Sequence, residues 1–475
     1  MRMRGRRIGD ERVRVQRVKP EEYQAAPPPR RRAPLSPALV LIVGFAVMIA
    51  IGTVVLMLPV SSADGSWTEP IVALFTATSA VCVTGLVVVD TGTFWSPFGH
   101  VVIALLIQAG GFGFMASSTL LLLLVVRRRT RLRDRVLVQE TMGRGELGDA
   151  TGLVKRIALF ALGLEAVGAL LLAVSFAGHG QDLLGAAWYG IFHSISAFNN
   201  AGFDLMGAFG QDSLRGFAAD YAVLGVIGVL IVFGGLGYAI VEDVYSRRRF
   251  AHWALETKVV VLTTIALLVG ASLVIAAIEW DNPATLGALP AELRVTNAVF
   301  ESVTLRTAGF SALDTAAMLE PSLFVVMGLM FIGGASGSTA GGIKVNTFSI
   351  LLIAIISTAL GRPSAEAFGR RIQHIVIYRA LAVALLFLAA LFTIGFLLEI
   401  LSNAPFVDVL FETVSALGTV GASRGITADL PDAARLLVIF AMYLGRLGPL
   451  TVVLALTARA RPVAYRPAVE SIRIG

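Results

Sequence analysis

Long apolar runs alternate with short connections along almost the whole chain. Seven runs, at residues 38–58, 101–126, 157–177, 217–241, 259–278, 380–401 and 436–456, are long enough to cross a bilayer. About 20 helical residues are needed to cross ~30 Å of hydrocarbon. An eighth stretch, 321–360, is too long for one helix and is interrupted by the glycine-rich segment 333–342. The pattern therefore predicts eight transmembrane spans.

Four shorter apolar segments lie between the spans, at residues 68–83, 187–198, 291–305 and 407–417. They are too short to cross a bilayer, so we predict re-entrant half-helices that enter the membrane and turn back. Non-helical backbone at that depth is tolerated only where it is buried in protein or lines a water-filled cavity.

The ends of these four segments are similar to one another. Each contains a Phe, then Ser or Thr residues, and then a glycine: Gly85, Gly202, Gly309 and Gly421. The intervals between successive glycines are 117, 107 and 112 residues, and the third copy needs a one-residue gap. The chain therefore reads as four copies of a span, a half-helix, a loop and a second span.

Composition and charge exclude an ordinary soluble enzyme. The 475 residues are 56% hydrophobic and only 15% charged, against about 25% charged in typical soluble domains. The single Cys and five His do not form a disulfide framework or a Cys/His zinc motif. The net charge of +7 reflects cations between apolar runs, which is typical of membrane topology rather than of nucleic-acid binding.

Lys and Arg are concentrated in alternate connections. Residues 1–32 carry 11 of them, 127–156 carry 9, and 247–258 and 362–379 carry 4 each, whereas 61–96 and 178–214 carry none. Because Lys and Arg in short loops stay on the cytoplasmic side, we expect a multi-pass protein of the cytoplasmic membrane with both termini in the cytoplasm.

The predicted fold class is an all-α integral membrane protein with four pseudo-symmetric repeats around a central pore and eight spans. The predicted organisation is an arginine-rich cytoplasmic tail, four repeats, three cytoplasmic connections and a C-terminal tail. In chain order these segments are 1–37 (tail), 38–126 (repeat), 127–156 (connection), 157–245 (repeat), 246–258 (connection), 259–360 (repeat), 361–379 (connection), 380–457 (repeat) and 458–475 (tail). We expect the first tail to be disordered.

Four such loops facing one axis predict a cation pore. Glycine can adopt backbone angles that turn carbonyls inward, rings of backbone carbonyls replace the hydration shell of a monovalent cation, and half-helix C-termini add partial negative charge. The predicted filter consists of Val83, Thr84, Gly85, Asn200, Ala201, Gly202, Thr307, Ala308, Gly309, Thr419, Val420 and Gly421.

Several charged side chains lie near this predicted filter. Arg446 falls near the middle of the last span, and an ionisable residue there is a functional hypothesis by default. We expect it to face the pore below the filter and to contact carbonyls of the glycine-rich segment. An ion pair with a buried carboxylate such as Glu165 is the alternative.

Carboxylates also follow the half-helices and their glycines. Asp90, Asp204 and Asp314 could concentrate cations at the outer mouth or could be ordinary solvated loop residues. Glu301 and Glu412 occupy matching positions after the Phe of their half-helices. They could brace the filter by accepting hydrogen bonds from the loop backbone, or could simply favour the start of a helix.

Taken together, the four loops, the segment from Gly333 to Val345 and the segment from Tyr443 to Thr451 resemble the superfamily of K⁺ transporters that includes TrkH, KtrB and plant HKT proteins. The resemblance covers the chain from about residue 38 onward and is strongest to the KtrB branch. It implies K⁺ uptake with one filter glycine per repeat, and K⁺ bound at the filter carbonyls. In this superfamily a serine at the first position accompanies Na⁺ transport, whereas this chain has Gly85.

The resemblance also implies a movable gate below the filter. The gate loop would consist of Gly333, Gly334, Ala335, Ser336, Gly337, Ser338, Thr339, Ala340, Gly341 and Gly342. Five glycines in ten residues disfavour a continuous helix, and a static kink is the alternative. The spacing of Gly337 and Gly342 mimics a phosphate-binding loop, but Val345 stands where that motif needs Ser or Thr, so we predict no enzyme activity.

Partners are likewise implied by the resemblance. They are a homodimer and a separate cytosolic regulatory subunit of the KtrA type, with an RCK domain that binds nucleotide. Na⁺ is an implied activator, and no cofactor is expected in this chain. The basic connections predict contact with anionic lipid and no nucleic-acid partner. The resulting hypothesis is channel-like, membrane-potential-driven K⁺ uptake, with an alternating-access Na⁺- or H⁺-coupled carrier as the alternative.

Overall fold

A computed structural model describes residues 37–129, 150–211 and 213–448. The predicted arginine-rich tail, most of the connection 127–156, the end of the last span and the C-terminal tail therefore lie outside the described residues. The described part is mostly helical, and its only β-strands are the two-residue pair Glu366–Ala367 and Arg370–Arg371, which form a small antiparallel hairpin.

Helices follow one another with short connections. In chain order they are α1 Pro37–Met57, α2 Pro70–Cys82, α3 Thr91–Phe94, α4 Pro97–Arg129, α5 Ala150–Gly178, α6 Leu183–Phe198, α7 Tyr221–Leu236, α8 Tyr238–Arg247, α9 Leu255–Glu279, α10 Ala291–Thr304, α11 Glu320–Phe331, α12 Val345–Ala359, α13 His374–Leu401, α14 Phe406–Gly418 and α15 Asp432–Leu447.

Within the described ranges, five helices are long and apolar enough to cross a membrane: α1, α4, α5, α9 and α13. The bent pair of α7 and α8 would be a sixth. The apolar helices α11 and α12 are shorter and are separated by the glycine-rich segment. The described part of α15 ends at Leu447, so the expected total of eight spans stays a prediction.

Four short helices, α2, α6, α10 and α14, occupy the predicted half-helix segments, and we call them the pore helices. Their C-terminal halves are almost completely buried. Each packs against the helix that precedes it in the chain. Each also packs against a more distant partner: α2 against α15, α6 against α4, α10 against α7 and α14 against α11. The last described helix thus contacts the first pore helix.

The apolar run 217–241, expected to form a span, is divided between two helices in the structure. The chain bends by 93° between α7 and α8, and the bend lies at Gly237, whose φ is +74°. A Cβ built at Gly237 would lie 2.9 Å from the carbonyl oxygen of Gly337 and 3.0 Å from the Cα of Ser338. The apolar pattern does not reveal this break, because its cause is a close approach by the glycine-rich segment.

Large apolar side chains remain exposed on the outer helices. On α1 they recur every three or four residues, at Val40, Val43, Val47, Ile51 and Val54. That spacing is one face of an α-helix. A continuous apolar face of this kind marks a surface that contacts lipid or another protein.

Candidate functional site: a ring of four turns

Each pore helix ends in a turn with two residues in the left-handed region of backbone space. The first of the two is a residue with a side chain, and three of these four are β-branched, a residue type that adopts positive φ only under strain. The second is the predicted filter glycine. The φ values are +56° for Val83, +59° for Asn200, +80° for Thr307, +50° for Thr419, +93° for Gly85, +69° for Gly202, +77° for Gly309 and +92° for Gly421.

These four turns contact one another in a closed ring. A Cβ built at Gly85 would lie 2.5 Å from the carbonyl oxygen of Ala201, and one built at Gly202 would lie 2.5 Å from that of Ala308. A Cβ at Gly309 would meet the carbonyl oxygen of Val420, and a Cβ at Gly421 would return to that of Thr84. A side chain at any of the four glycines would therefore displace the carbonyl of the next turn.

All twelve predicted filter residues therefore lie together, although they come from four distant parts of the chain. Their neighbours hold the turns through hydroxyl groups. The amide of Gly85 donates to Ser79 Oγ at 3.0 Å, and the amide of Gly421 donates to Ser415 Oγ at 3.1 Å. Thr304 Oγ1 donates to the carbonyl of Phe310 at 2.8 Å. In the first, third and fourth repeats the Ser or Thr of the motif thus bonds to backbone at or beyond the filter glycine.

Three pore helices also carry a buried side chain that accepts hydrogen bonds from the loop after the turn. Glu301 accepts from the amides of Ala312 and Leu313 at 3.0 and 3.1 Å. Glu412 accepts from the hydroxyls of Ser423 and Thr427. At the matching position of α6, His193 Nε2 accepts from the amide of Leu205 at 3.3 Å. The Glu301 bonds are with loop backbone, as the bracing hypothesis expects, whereas Glu412 bonds to loop hydroxyls instead.

Below the ring, the predicted gate loop connects α11 to α12 and contacts three of the turns. Thr339 Oγ1 lies 3.1 Å from Asn200 Oδ1 and 3.2 Å from the carbonyl oxygen of Phe198. A Cβ at Gly341 would collide with Thr419 Oγ1, and one at Gly333 would lie 3.3 Å from a methyl of Thr307. Ser338, Thr339 and Ala340 are fully buried. The loop therefore fills the space directly beneath the turns.

Arg446 is 1% exposed and reaches the gate loop. Its guanidinium donates to the carbonyl of Thr339 and, at 3.2 Å, to that of Gly110, and it stacks 4.6 Å from the ring centroid of Phe114. The contact with gate-loop carbonyls is the one expected from the sequence. The alternative ion pair with Glu165 is wrong, since the Glu165 carboxylate accepts from the amides of Gln108 and Asn199 instead.

Two further cations contact the same loop, the partly buried Lys344 and the buried Arg306, and the sequence reasoning missed both. Lys344 Nζ donates to the carbonyls of Ala340 and Gly341. Arg306, 7% exposed, donates to the carbonyl of Gly333 at 2.9 Å. Its place three residues before Gly309 was the signal that it belongs to the filter turn.

The three outer aspartates mainly bond to their own loops. Asp90 accepts from the amide and hydroxyl of Thr93, and Asp204 accepts from the amide of Met206. Asp314 forms an ion pair with Arg215 at 3.0 Å. The neighbouring cation offsets the charge of Asp314, which weakens the case for that residue as an attractor of cations.

The fold and the ring define a class: a helical membrane protein in which backbone carbonyls from four turns converge. The chain belongs to the TrkH family of cation transport proteins, because the family's sequence model, described as "TrkH: Cation transport protein", matches residues 33–461. It is a family of transporters rather than of enzymes, and the match confirms the resemblance seen in the motifs.

Individual relatives are more specific than the family model. The chain is 41% identical to Ktr system potassium uptake protein B of Bacillus subtilis, over 88% of this chain and 92% of that protein. It is 37% identical to the potassium/sodium uptake protein NtpJ of Enterococcus hirae, over 94% and 99%. The crystal structure of the potassium transporter TrkH from Vibrio parahaemolyticus shares the fold, with a TM-score of 0.70, 18% identity and coverage of 90% and 86%.

Proposed function

We propose that the protein conducts K⁺ into the cell through a central pore, driven by the membrane potential. The observation that carries this proposal is the closed ring of four turns. In such a ring, backbone carbonyl oxygens can replace the hydration shell of a monovalent cation. The C-terminal ends of the four pore helices meet at the ring, and their helix dipoles add partial negative charge there. The names of the relatives, which describe potassium uptake, support K⁺ as the ion.

The proposed architecture is four repeats with eight spans, at 38–126, 157–245, 259–360 and 380–457. In its support, each pore helix packs against the preceding helix and against one distant helix, and α15 contacts α2.

We further propose that the segment 333–342 is the gate. It lies under the ring, and Arg306, Lys344 and Arg446 bond to its carbonyls. Arg446 would then act as an electrostatic barrier to cations.

Orientation and assembly follow from charge and from the relatives. We propose a multi-pass protein of the cytoplasmic membrane with both termini inside, because Lys and Arg are concentrated in alternate connections. A homodimer with a separate nucleotide-binding regulatory subunit is proposed, since the B. subtilis relative is named as one protein of a Ktr system. Na⁺ as an activator, and anionic lipid at the basic connections, complete the proposal.

One observation favours a second candidate, an alternating-access carrier coupled to Na⁺ or H⁺. Carriers often use discontinuous helices near the bilayer midplane, and α7 and α8 form a helix pair bent by 93°. Purified protein in liposomes separates the two. A pore gives K⁺ currents that follow the K⁺ electrochemical gradient alone, whereas a carrier gives K⁺ flux at a fixed ratio to a second ion.

The proposed pore is tested by K⁺ uptake in a bacterial strain that lacks its own K⁺ systems. The wild-type chain should restore uptake. Gly85→Ser should lower the ratio of K⁺ to Na⁺ uptake by about tenfold, or ~1.4 kcal/mol, because the new side chain meets the carbonyl of Ala201 at a φ of +93°. Gly163→Ser is the matched control, since no atom lies within 4 Å of its Cβ position. Equal ratios in both variants would refute the filter assignment.

A further inference from the structure

Glu165 lies near the middle of α5 and is 5% exposed. Its partners are the amide groups of Gln108 and Asn199, each at 3.1 Å. Within the described ranges it forms no ion pair. A buried carboxylate without a cation is costly unless hydrogen bonds compensate it, so its presence at this depth needs a physical reason.

Asn199 connects this carboxylate to the second filter turn. It is the last residue before the turn Asn200–Gly202, and its Nδ2 lies 2.9 Å from Gln108 Oε1 as well as 3.1 Å from Glu165 Oε1. The backbone of α5 is also fixed to the pore helix, because Ser194 Oγ donates to the carbonyl of Glu165 at 2.7 Å. The three side chains form a closed triangle behind the turn.

This triangle lies where α4 approaches the ring most closely. A Cβ at Gly111 would collide with the Asn199 side chain, and a Cβ at Gly110 would collide with the carbonyl of Val81, just before the first turn. The carbonyl of Gly110 accepts from Arg446. Residues 108–111 of α4 therefore contact the second turn, the first pore helix and the cation that holds the gate loop.

The four turns differ at this position. Three residues before each filter glycine stand Cys82, Asn199, Arg306 and Gly418. Only Asn199 is held by a carboxylate among these four, whereas Arg306 bonds to the carbonyl of Gly333. Cys82 and Gly418 lack strong polar groups. A polar side chain that forms hydrogen bonds at this position is therefore a property of the second and third turns.

We infer that Glu165, together with Gln108, is a positioning residue that fixes Asn199 and thereby sets how well the second turn discriminates K⁺ from Na⁺. The inference rests on the proposed pore. Discrimination depends on the number and field of the carbonyls around the ion, and a buried hydrogen-bonded network keeps such groups in one arrangement. Glu165 acts through Asn199 and does not contact the ion.

The test compares Glu165→Ala, Glu165→Gln and Glu279→Ala in the full-length chain, expressed in a strain without its own K⁺ systems. Two quantities are measured: the KM for K⁺ uptake and the inhibition of that uptake by Na⁺. Uptake rates are normalised to the amount of membrane-inserted protein. Glu165→Ala should lower the K⁺ to Na⁺ preference by about tenfold, the order expected when a buried hydrogen-bonded group loses its partner. Glutamine keeps the shape and the acceptor for Asn199 Nδ2. It loses only one bond of the triangle, because a flip of Gln108 that meets the new amide group turns Gln108 Nε2 towards Asn199 Nδ2. Glu165→Gln should therefore stay within about threefold.

Glu279→Ala controls for the loss of a buried carboxylate as such. Glu279 is fully buried and accepts from Asn282, Thr285 and the amide of Leu319 at the outer end of α9. Its loss should reduce the amount of protein but leave the ion preference unchanged. If Glu165→Ala does not accumulate, Gln108→Ala, which removes two of the three hydrogen bonds of the triangle, should lower the preference in the same direction.

Two results would overturn the inference. One is a wild-type ion preference in Glu165→Ala or Gln108→Ala. The other is an equal loss in Glu165→Gln and Glu165→Ala, which would assign the effect to the charge rather than to positioning. The double variant Glu165→Ala/Gln108→Ala should be no worse than the stronger single variant, because the residues act as a unit. Failure of the proposed function is distinguishable, since the wild-type chain would then not take up K⁺.

Discussion

Three cations beside the gate loop are the residues on which the proposed gate depends most. Arg306, Lys344 and Arg446 each bond to backbone carbonyls of the segment between α11 and α12. Carbonyl dipoles solvate a charge but do not cancel it, so the positive field remains along the proposed pore. Arg446 has the additional support of the Phe114 ring face, whose negative quadrupole attracts a guanidinium. Its charge therefore has a fixed position under the ring.

At the residue scale we expect Arg446→Gln to increase K⁺ flux. Removal of the charge lowers an electrostatic barrier and leaves the carbonyl of Thr339 without its strongest donor, which loosens the gate loop. A rise of about tenfold in maximal uptake corresponds to ~1.4 kcal/mol of barrier.

Arg435→Gln is the control for that prediction. It removes a cation near the other end of α15, where Arg435 bonds to the carbonyl of Ala428 and to Asp432. Its uptake should match the wild type. Unchanged flux in Arg446→Gln, at equal expression, would remove Arg446 from the gate.

Among the elements, the bent pair of α7 and α8 shows how the glycine-rich segment is packed and hydrogen-bonded. The bend at Gly237 places the start of α8 against Gly337 and Ser338. The amide of Thr339 donates to the carbonyl of Gly234, and the amide of Ala335 to that of Gly235. The end of α7 therefore supplies backbone partners to a segment that has no secondary structure of its own, which fixes the loop under the ring.

At the element scale we expect Gly237→Ala to open the proposed gate in part. Alanine at a φ of +74° and a ψ of 163°, a backbone region that is essentially restricted to glycine, costs about 1–3 kcal/mol, and its Cβ would push against Gly337 and Ser338. The measurement is K⁺ uptake, which should rise relative to the wild type. Gly225→Ala lies on the same helix pair with no atom within 4 Å of its Cβ position, and it should behave like the wild type. Equal uptake in both variants would contradict the role of the bend.

For the whole molecule, the arrangement of charge and apolar surface sets the expected orientation. The outer faces of α1, α5 and α13 carry exposed apolar side chains, as lipid contact requires. The connection between α1 and α2 has no Lys or Arg, whereas that between α12 and α13 has three. The positive-inside rule places the second connection in the cytoplasm.

This orientation predicts the labelling of single cysteines by a membrane-impermeant thiol reagent. The native Cys82 is fully buried and should give little background. Ser66→Cys, in the exposed first connection, should react in intact cells. Arg370→Cys, in the exposed hairpin, should react only after the membrane is permeabilised. Labelling of Arg370→Cys in intact cells would invert the proposed topology.

Much of the helical framework follows from local pattern. The apolar runs predict α1, α4, α5, α9 and α13 to within about four residues at the ends that the structure describes, apart from the starts of α5 and α13, which lie about seven and six residues earlier. The short segments predict the four pore helices, although α6 begins four residues earlier than expected. These predictions succeed because the apolar length of a helix is a property of consecutive residues. The filter glycines are recognisable for a similar reason, since their motif repeats.

What the sequence by itself determined is the set of helices, the four repeated turns and the family to which the chain belongs. Each of these depends on neighbouring residues or on a motif that recurs. Only the tertiary structure decided that the four turns close into one ring, that the chain bends at Gly237, and that Arg446 bonds to Gly110 rather than to Glu165. Arg446 and Gly110 are 336 residues apart. No local pattern encodes which carbonyl accepts a hydrogen bond from a buried guanidinium, because that depends on how the helices pack.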